Sequence, residues 1–170
     1  MRIPPPRRPG STYSIMIICL GNICRSPTAE VVLTRKLELA CLDDVVRVSS
    51  TGTGDWHVGQ GMDARAAAAL VANGYNPTAH RARTFDTQQF ADFDLVLVMD
   101  RSNHRDVTEL LGEHVDRSRL AMFRSFDPQA DDDLDMPDPW GGGPAGFDNV
   151  LTMVERTSDA LVASLRSALT

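Results

Sequence analysis

Long apolar runs, cysteines, aromatic side chains and excess positive charge are all scarce in this chain of 170 residues. Each scarcity excludes something. No apolar run approaches the ~20 residues that a membrane-spanning helix needs, and the first residues lack the apolar core of a signal peptide, so neither an anchor nor export is expected. Three cysteines, an odd number, supply no disulfide framework and fit a reducing cytoplasm. With a few scattered histidines they make no zinc pattern. The formal net charge of -6 argues against a nucleic-acid partner, which calls for a basic face. Tryptophan occurs only twice, so the place of each one is informative. The rest of the composition, 42% hydrophobic and 24% charged, suits one globular domain with a real core.

The chemistry concentrates in residues 15–30, IMIICLGNICRSPTAE. Ile15 to Cys19 reads as a strand buried on both faces. Gly21 and Asn22 both tolerate the left-handed backbone of a tight loop. Pro27 suits the start of a helix whose apolar pattern runs through Ala29, Val32, Leu33 and Leu37. Strand, loop and helix N-terminus in this order form an anion-binding geometry. Cys19 and Arg25 lie in it with five residues between them. A thiol among N–H donors and a guanidinium is favoured as the nucleophilic anion, and the same donors suit phosphate oxygens. Arg25 offers a planar fork for two of those oxygens, and Ser26 can donate to the sulfur. The expected apparatus is an oxyanion cradle made of Leu20, Gly21, Asn22, Ile23, Cys24 and Ser26 with a nucleophile at its base.

The stretch CLGNICRSPTAE resembles the signature of the low-molecular-weight protein tyrosine phosphatases, and the likeness extends over roughly residues 14 to 168. The resemblance implies a phosphocysteine mechanism on Cys19, with Arg25 binding phosphate and a downstream Asp as general acid and base. It requires no metal and no organic cofactor. The implied partner is a phosphotyrosine-containing protein, and inorganic phosphate or sulfate is a plausible occupant of the loop. Residues that alternate between strand and helix patterns predict a parallel sheet of four strands with helices on both faces, flavodoxin-like in winding.

Residues 1–13, rich in Pro and Arg, read as a disordered or polyproline-like extension, either passive or a docking tail; residues 14–170 form the single expected domain. Val45 to Ser50 is the second strand. Trp56 follows in a Gly-rich loop, where it either anchors the loop or walls a pocket. The resemblance favours the pocket, places the Asp55-Trp56 pair beside the substrate, and gives Ser50 and His80 supporting roles, His80 by bracing Asn22. Asp63 and Gly74 bound a helix, Phe93 to Met99 is a buried strand, and Asp100 after it either lines the site or caps the helix 101–112. Leu120 to Phe123 is a last short apolar piece, and a helix from Gly146 closes the chain.

Most of the acids in residues 124–148 are expected to be solvated. Asp138 stands apart, stiffened by Pro137 and Pro139 and followed by Trp140. Neighbouring carboxylates and partial burial beside Trp140 are expected to suit it to proton donation. Family members usually carry two tyrosines after this proline; here Trp140 and Gly141 follow, and a mobile rim is expected from the glycine run. For Cys24 two readings stay open: packing in the loop, or the reversible disulfide with Cys19 that the resemblance implies. Arsenate reductases of this fold need further cysteines, and none follows Cys41. Protein-arginine phosphatases carry Thr in place of Ile23, and a non-catalytic phosphotyrosine-binding module has no need of Cys19, Arg25 and Asp138 together.

Overall fold

Strand β1 (Tyr13–Cys19) is apolar on both faces, so both must be covered, and it takes an inner place in the sheet. β2 (Val46–Gly52) pairs with it on one side and β3 (Leu95–Val98) on the other, while β4 (Leu120–Met122) adds to β3. All pairings are parallel and the order is β2-β1-β3-β4, the flavodoxin-like winding. Parallel neighbours require crossovers, here supplied by α1 (Arg25–Leu39), α2 (Ala64–Ala72) and α3 (Arg101–Leu111). The C-terminal helix is α4 (Pro144–Leu169). The structure, a computed structural model, describes residues 2–113 and 115–169, so the expected outer bounds at 1 and 170 lie outside the described residues.

The two-residue period of β1 sorts the core. Ile15, Ile17 and Cys19 share one apolar cluster with Val32, Leu33 and Leu37 of α1, Leu70 of α2 and Val150, Val154 and Leu161 of α4. Met16 and Ile18 share the other with Val107 of α3 and Phe90 of a short 3₁₀ turn, Thr87–Asp92. Helices therefore cover both faces, as expected. Among the described residues no helix is long and apolar enough to cross a membrane.

Several boundaries move. α1 begins at Arg25, two residues before Pro27. Pro27 still sits in the first turn, where N–H groups have no intrahelical partner and a missing one costs nothing. β2 runs on to Gly52, past Ser50. β3 is shorter than Phe93 to Met99; just before it, the Asp94 carboxylate accepts from Ser14 N at 2.8 Å and Arg7 N at 2.6 Å. Asn73, with Gly74 in the left-handed region behind it, ends α2.

The Pro-Arg extension holds no helix or strand over residues 2–12, yet it lies against the body. Arg7 also donates to Phe93 O, Arg119 donates to Pro5 O at 2.8 Å, and the Tyr13 hydroxyl donates to Pro4 O at 3.0 Å.

Most of the acidic segment is solvated, as expected, with Asp131 to Asp133 exposed; Asp127 is the exception. The side chain of Asp127 is buried, gripped by Arg156 through Nε at 2.6 Å and Nη2 at 2.7 Å and by Arg124 Nε at 3.2 Å. Arg156 first, then the Gln129 N–H and Arg124, outweigh burial and hold its carboxyl down at about 2. Because the folded value is depressed, the stabilisation is present above the ordinary value of 3.8 and is lost as pH falls through about 2. Acid unfolding followed by circular dichroism is expected to show this loss as about 2 kcal/mol. Asp127→Asn should lack that step and be less stable near neutral pH by about 3–5 kcal/mol, because it leaves buried arginine charge unpaired. An unchanged acid limb in the variant would place the pH dependence elsewhere.

Candidate active site

β1 ends at Cys19 and α1 starts at Arg25, so five residues must turn the chain at the C-terminal edge of the sheet. Asn22 makes the turn, with φ at 55°. Gly21 does not adopt the left-handed region expected of it. It is small for another reason: a Cβ there would approach the His57 ring to 3.1 Å.

Asn22 is fully buried and engaged on every side. Its amide nitrogen donates to Ser26 Oγ at 2.8 Å and Ser50 Oγ at 2.9 Å, and its Oδ1 accepts from Arg83 N at 2.8 Å. Its carbonyl takes a bond from His80 Nε2 at 2.7 Å. Its own N–H donates to Cys19 Sγ at 3.3 Å, and Ser26 Oγ donates to the same sulfur at 3.0 Å. Ser50 Oγ donates on to Glu30 Oε2 at 2.5 Å. A chain of polar contacts thus runs from Glu30 to the Cys19 sulfur.

Arg25 is 2% exposed. It donates through Nη1 to Asp100 Oδ2 at 2.5 Å and Met136 O at 3.1 Å, and through Nη2 to Asp138 Oδ2 at 2.9 Å. Burial opposes its charge, but Cys19, Asp100 and Asp138 together outweigh burial and raise its affinity for the proton. Of the two places open to Asp100 it takes the helix cap, its other oxygen accepting from Asn103 N at 2.7 Å; it holds Arg25 from behind and is not among the pocket's walls. Asp138 meets a guanidinium and the Trp140 N–H, at 3.1 Å, instead of the expected carboxylates. Three of the other acids are drawn off: Asp127 to Arg156, and Asp133 and Asp135 to Arg101.

Cys19, Arg25, Cys24 and Asp138 open into one pocket of about 260 Å³, walled by Leu20, Gly21, Ile23, Trp56, His57 and Trp140. Asn22, Ser26, Ser50 and His80 stand behind it as support. Asp55 is exposed and is not among the walls; only Trp56 of that pair comes over the pocket. A larger hollow of about 450 Å³ lies on the far side of His80 and Glu30 and holds none of Cys19, Arg25 or Asp138. All three cysteines are free thiols. Burial first, then Asp63, Cys19 and Asp138, push the Cys24 thiol up to about 12, so it stays protonated while Cys19 holds the donors. Among the described residues no cluster of His, Cys, Asp and Glu forms a metal site.

Several contributors escape sequence reasoning. Arg65 donates to Trp140 O and Gly142 O, both at 3.0 Å, stacks at 4.5 Å over Phe147 and pairs with Asp63, so it fastens the glycine-rich rim. Arg124 holds Asp135 O at 2.7 Å under the Asp138 loop. Glu30 carried one signal, its place four residues after Ser26 on the same face of α1. His57, next to Trp56, carried none.

Chemistry of this kind belongs to cysteine-dependent phosphoryl-transfer enzymes, and comparison with known proteins agrees. The model of the low molecular weight phosphotyrosine protein phosphatase family matches residues 14–169. A low molecular weight protein-tyrosine-phosphatase of Streptomyces coelicolor is 42% identical over 156 residues, covering 91% of this chain and 94% of that protein. Low molecular weight protein-tyrosine phosphatase A of Mycobacterium tuberculosis is 44% identical over 142 residues, 83% of this chain and 84% of its own. The crystal structure of a protein tyrosine phosphatase from Entamoeba histolytica, with Hepes in the active site, superposes with a TM-score of 0.86 at 27% identity, covering 94% of this chain and 100% of that one. The chain belongs to the low molecular weight phosphotyrosine protein phosphatase family.

Gly52, at the end of β2, supports the loop from behind. A Cβ there would lie 2.6 Å from Leu20 O and 3.0 Å from Asn22 N, both backbone atoms that cannot swing away. Gly52→Ala is therefore expected to displace the loop and lower kcat/KM on the order of 10²-fold with the fold retained. Phosphatase assay beside far-ultraviolet circular dichroism checks this; full activity would show that the loop tolerates the shift.

Proposed function

We propose that the protein is a protein tyrosine phosphatase that works through a phosphocysteine on Cys19. One observation carries the reading: a buried nucleophile, a buried guanidinium and a half-exposed carboxyl share one pocket whose rim holds two tryptophans. The thiolate of Cys19 attacks phosphorus while Arg25 and the loop N–H groups hold the non-bridging oxygens. A new S–P bond forms, the bond from phosphorus to the tyrosyl oxygen breaks, and Asp138 gives its proton to the departing phenolate. Asp138 then takes a proton from water as the water attacks the phosphocysteine, which releases inorganic phosphate and restores the thiolate.

The contact between Arg25 and Asp138 gives this sequence an order. A phosphate dianion in the loop competes with Asp138 for the guanidinium, and the released carboxyl is free to turn to the leaving oxygen. Depth supports the choice of substrate. Cys19 is 2% exposed within the pocket, which favours a phosphate carried on a long side chain over one on a short serine. A phenyl ring spans the distance and meets Ile23, Trp56 and Trp140 on the way. Inorganic phosphate or sulfate is a competing occupant of the same loop. Free thiols and the reactive Cys19 suit work in the reducing cytoplasm.

Release of phosphate from matched phosphotyrosine, phosphoarginine and phosphoserine peptides tests the reading. Phosphotyrosine is expected to be strongly preferred, Cys19→Ser to abolish turnover, and Asp138→Asn to lower kcat roughly 10²- to 10⁴-fold. Preference for phosphoarginine would overturn the substrate and keep the mechanism. Binding without turnover of any peptide would leave only a phosphate-binding module.

A further inference from the structure

We infer that the hollow adjoining the catalytic pocket is a second substrate subsite, one that takes an apolar residue beside a lysine or arginine in the peptide flanking the phosphotyrosine. The inference rests on the phosphatase reading above. The hollow measures about 420 Å³ and shares two walls, Leu20 and Trp56, with the catalytic pocket. Thr53 and Gly54 lie behind those walls, and Asp106, Glu109 and Leu110 of α3 close the other side. A substrate whose tyrosine enters the pocket must lead its backbone out over the rim. Over Leu20 and Trp56 the next stop is this hollow.

Its surface is apolar without being covered. Leu20, Trp56 and Leu110 are 41%, 66% and 52% exposed, so three large apolar side chains stand in water around one concavity. The wall is also set in place. A Cβ on Gly54 would lie 1.9 Å from the Trp56 ring, so the indole rests against bare backbone that a larger residue would deny it.

Charge decides the neighbour. Asp106 and Glu109 stand one turn apart on α3, on one face, and no lysine or arginine lines the hollow. Arg105 approaches Asp106 only to 3.9 Å and is hydrogen-bonded to Ser102 at 3.0 Å. The local field is negative, as is the net charge of -6, so a cationic flank is attracted and an acidic one repelled.

Steady-state kinetics on phosphotyrosine peptides of equal length test this, with Leu-Lys, Leu-Glu or Ala-Ala on either side of the phosphotyrosine and p-nitrophenyl phosphate as a substrate without flanks. The Leu-Lys peptide is expected to exceed Leu-Glu in kcat/KM by roughly 5- to 10-fold at low salt, with the gap narrowing as salt rises. Asp106→Asn combined with Glu109→Gln should shrink the gap to under about twofold, with turnover of p-nitrophenyl phosphate unchanged. Leu110→Ala should slow the Leu-Lys peptide and spare Ala-Ala. Equal turnover of all flanks, or a preference that survives the double variant, overturns the subsite while leaving the phosphatase intact. Failure to turn over p-nitrophenyl phosphate or any peptide overturns the phosphatase reading and the subsite with it.

Discussion

A left-handed residue between β1 and α1 bends the chain so that the sulfur of Cys19 and the first turn of α1 face the same small volume. Such a backbone state is unfavourable for most side chains, and Asn is among the few that adopt it readily. Here the amide does more than tolerate the bend. Its two ends hold Ser26, Ser50 and the backbone of Arg83, while its carbonyl holds His80. Residues from three separate segments thereby keep the loop in the shape that presents donors to an anion. The protein's own hydrogen bonds hold this shape, and donors fixed in that way need little reorganisation during a reaction.

Around this bend the electrostatics are arranged in opposition. A guanidinium is buried at a cost that only close anions offset, and Asp100, Asp138 and the Cys19 sulfur provide them. Asp100 is committed at the cap of α3, where helix formation fixes it. Asp138 sits on a loop between two prolines with its side chain 45% exposed, so it is the partner an incoming phosphate can displace. One ion pair is anchored at a helix cap, and the other stands half-exposed on a loop. The loop that carries the second is itself fastened by Arg65 at its rim and Arg124 at its base.

How much of this was legible in the chain follows from distance along it. Cys19, Asn22, Arg25 and Ser26 lie within eight consecutive residues, so their order alone defines a strand, a turn and a helix start, with the chemistry set between them. Asp138 and Trp140 were legible because flanking prolines and a rare tryptophan mark a stiffened aromatic loop. Arg65, Arg124 and Met136 O were not, because a single charged residue or a carbonyl carries no sign of a partner tens of residues away. Acidic runs mislead for the same reason: Asp127 looks like its solvated neighbours until α4 brings Arg156 against it.

By itself the sequence determined the fold class and the nucleophile's setting, because both depend on local periodicity and on residues that are neighbours in the chain. The parallel four-stranded sheet, the helices on both faces and the Cys-Arg loop are properties of that kind. Only the tertiary structure decided that Asp100 both caps a helix and holds Arg25, that Asp55 stays outside the pocket, and that Leu110 and two acids of α3 come beside Trp56. Those outcomes depend on which faces the packing of helices on a twisted sheet brings together. Hydrophobic pattern specifies which side of an element is buried, but packing sets what its exposed side will meet.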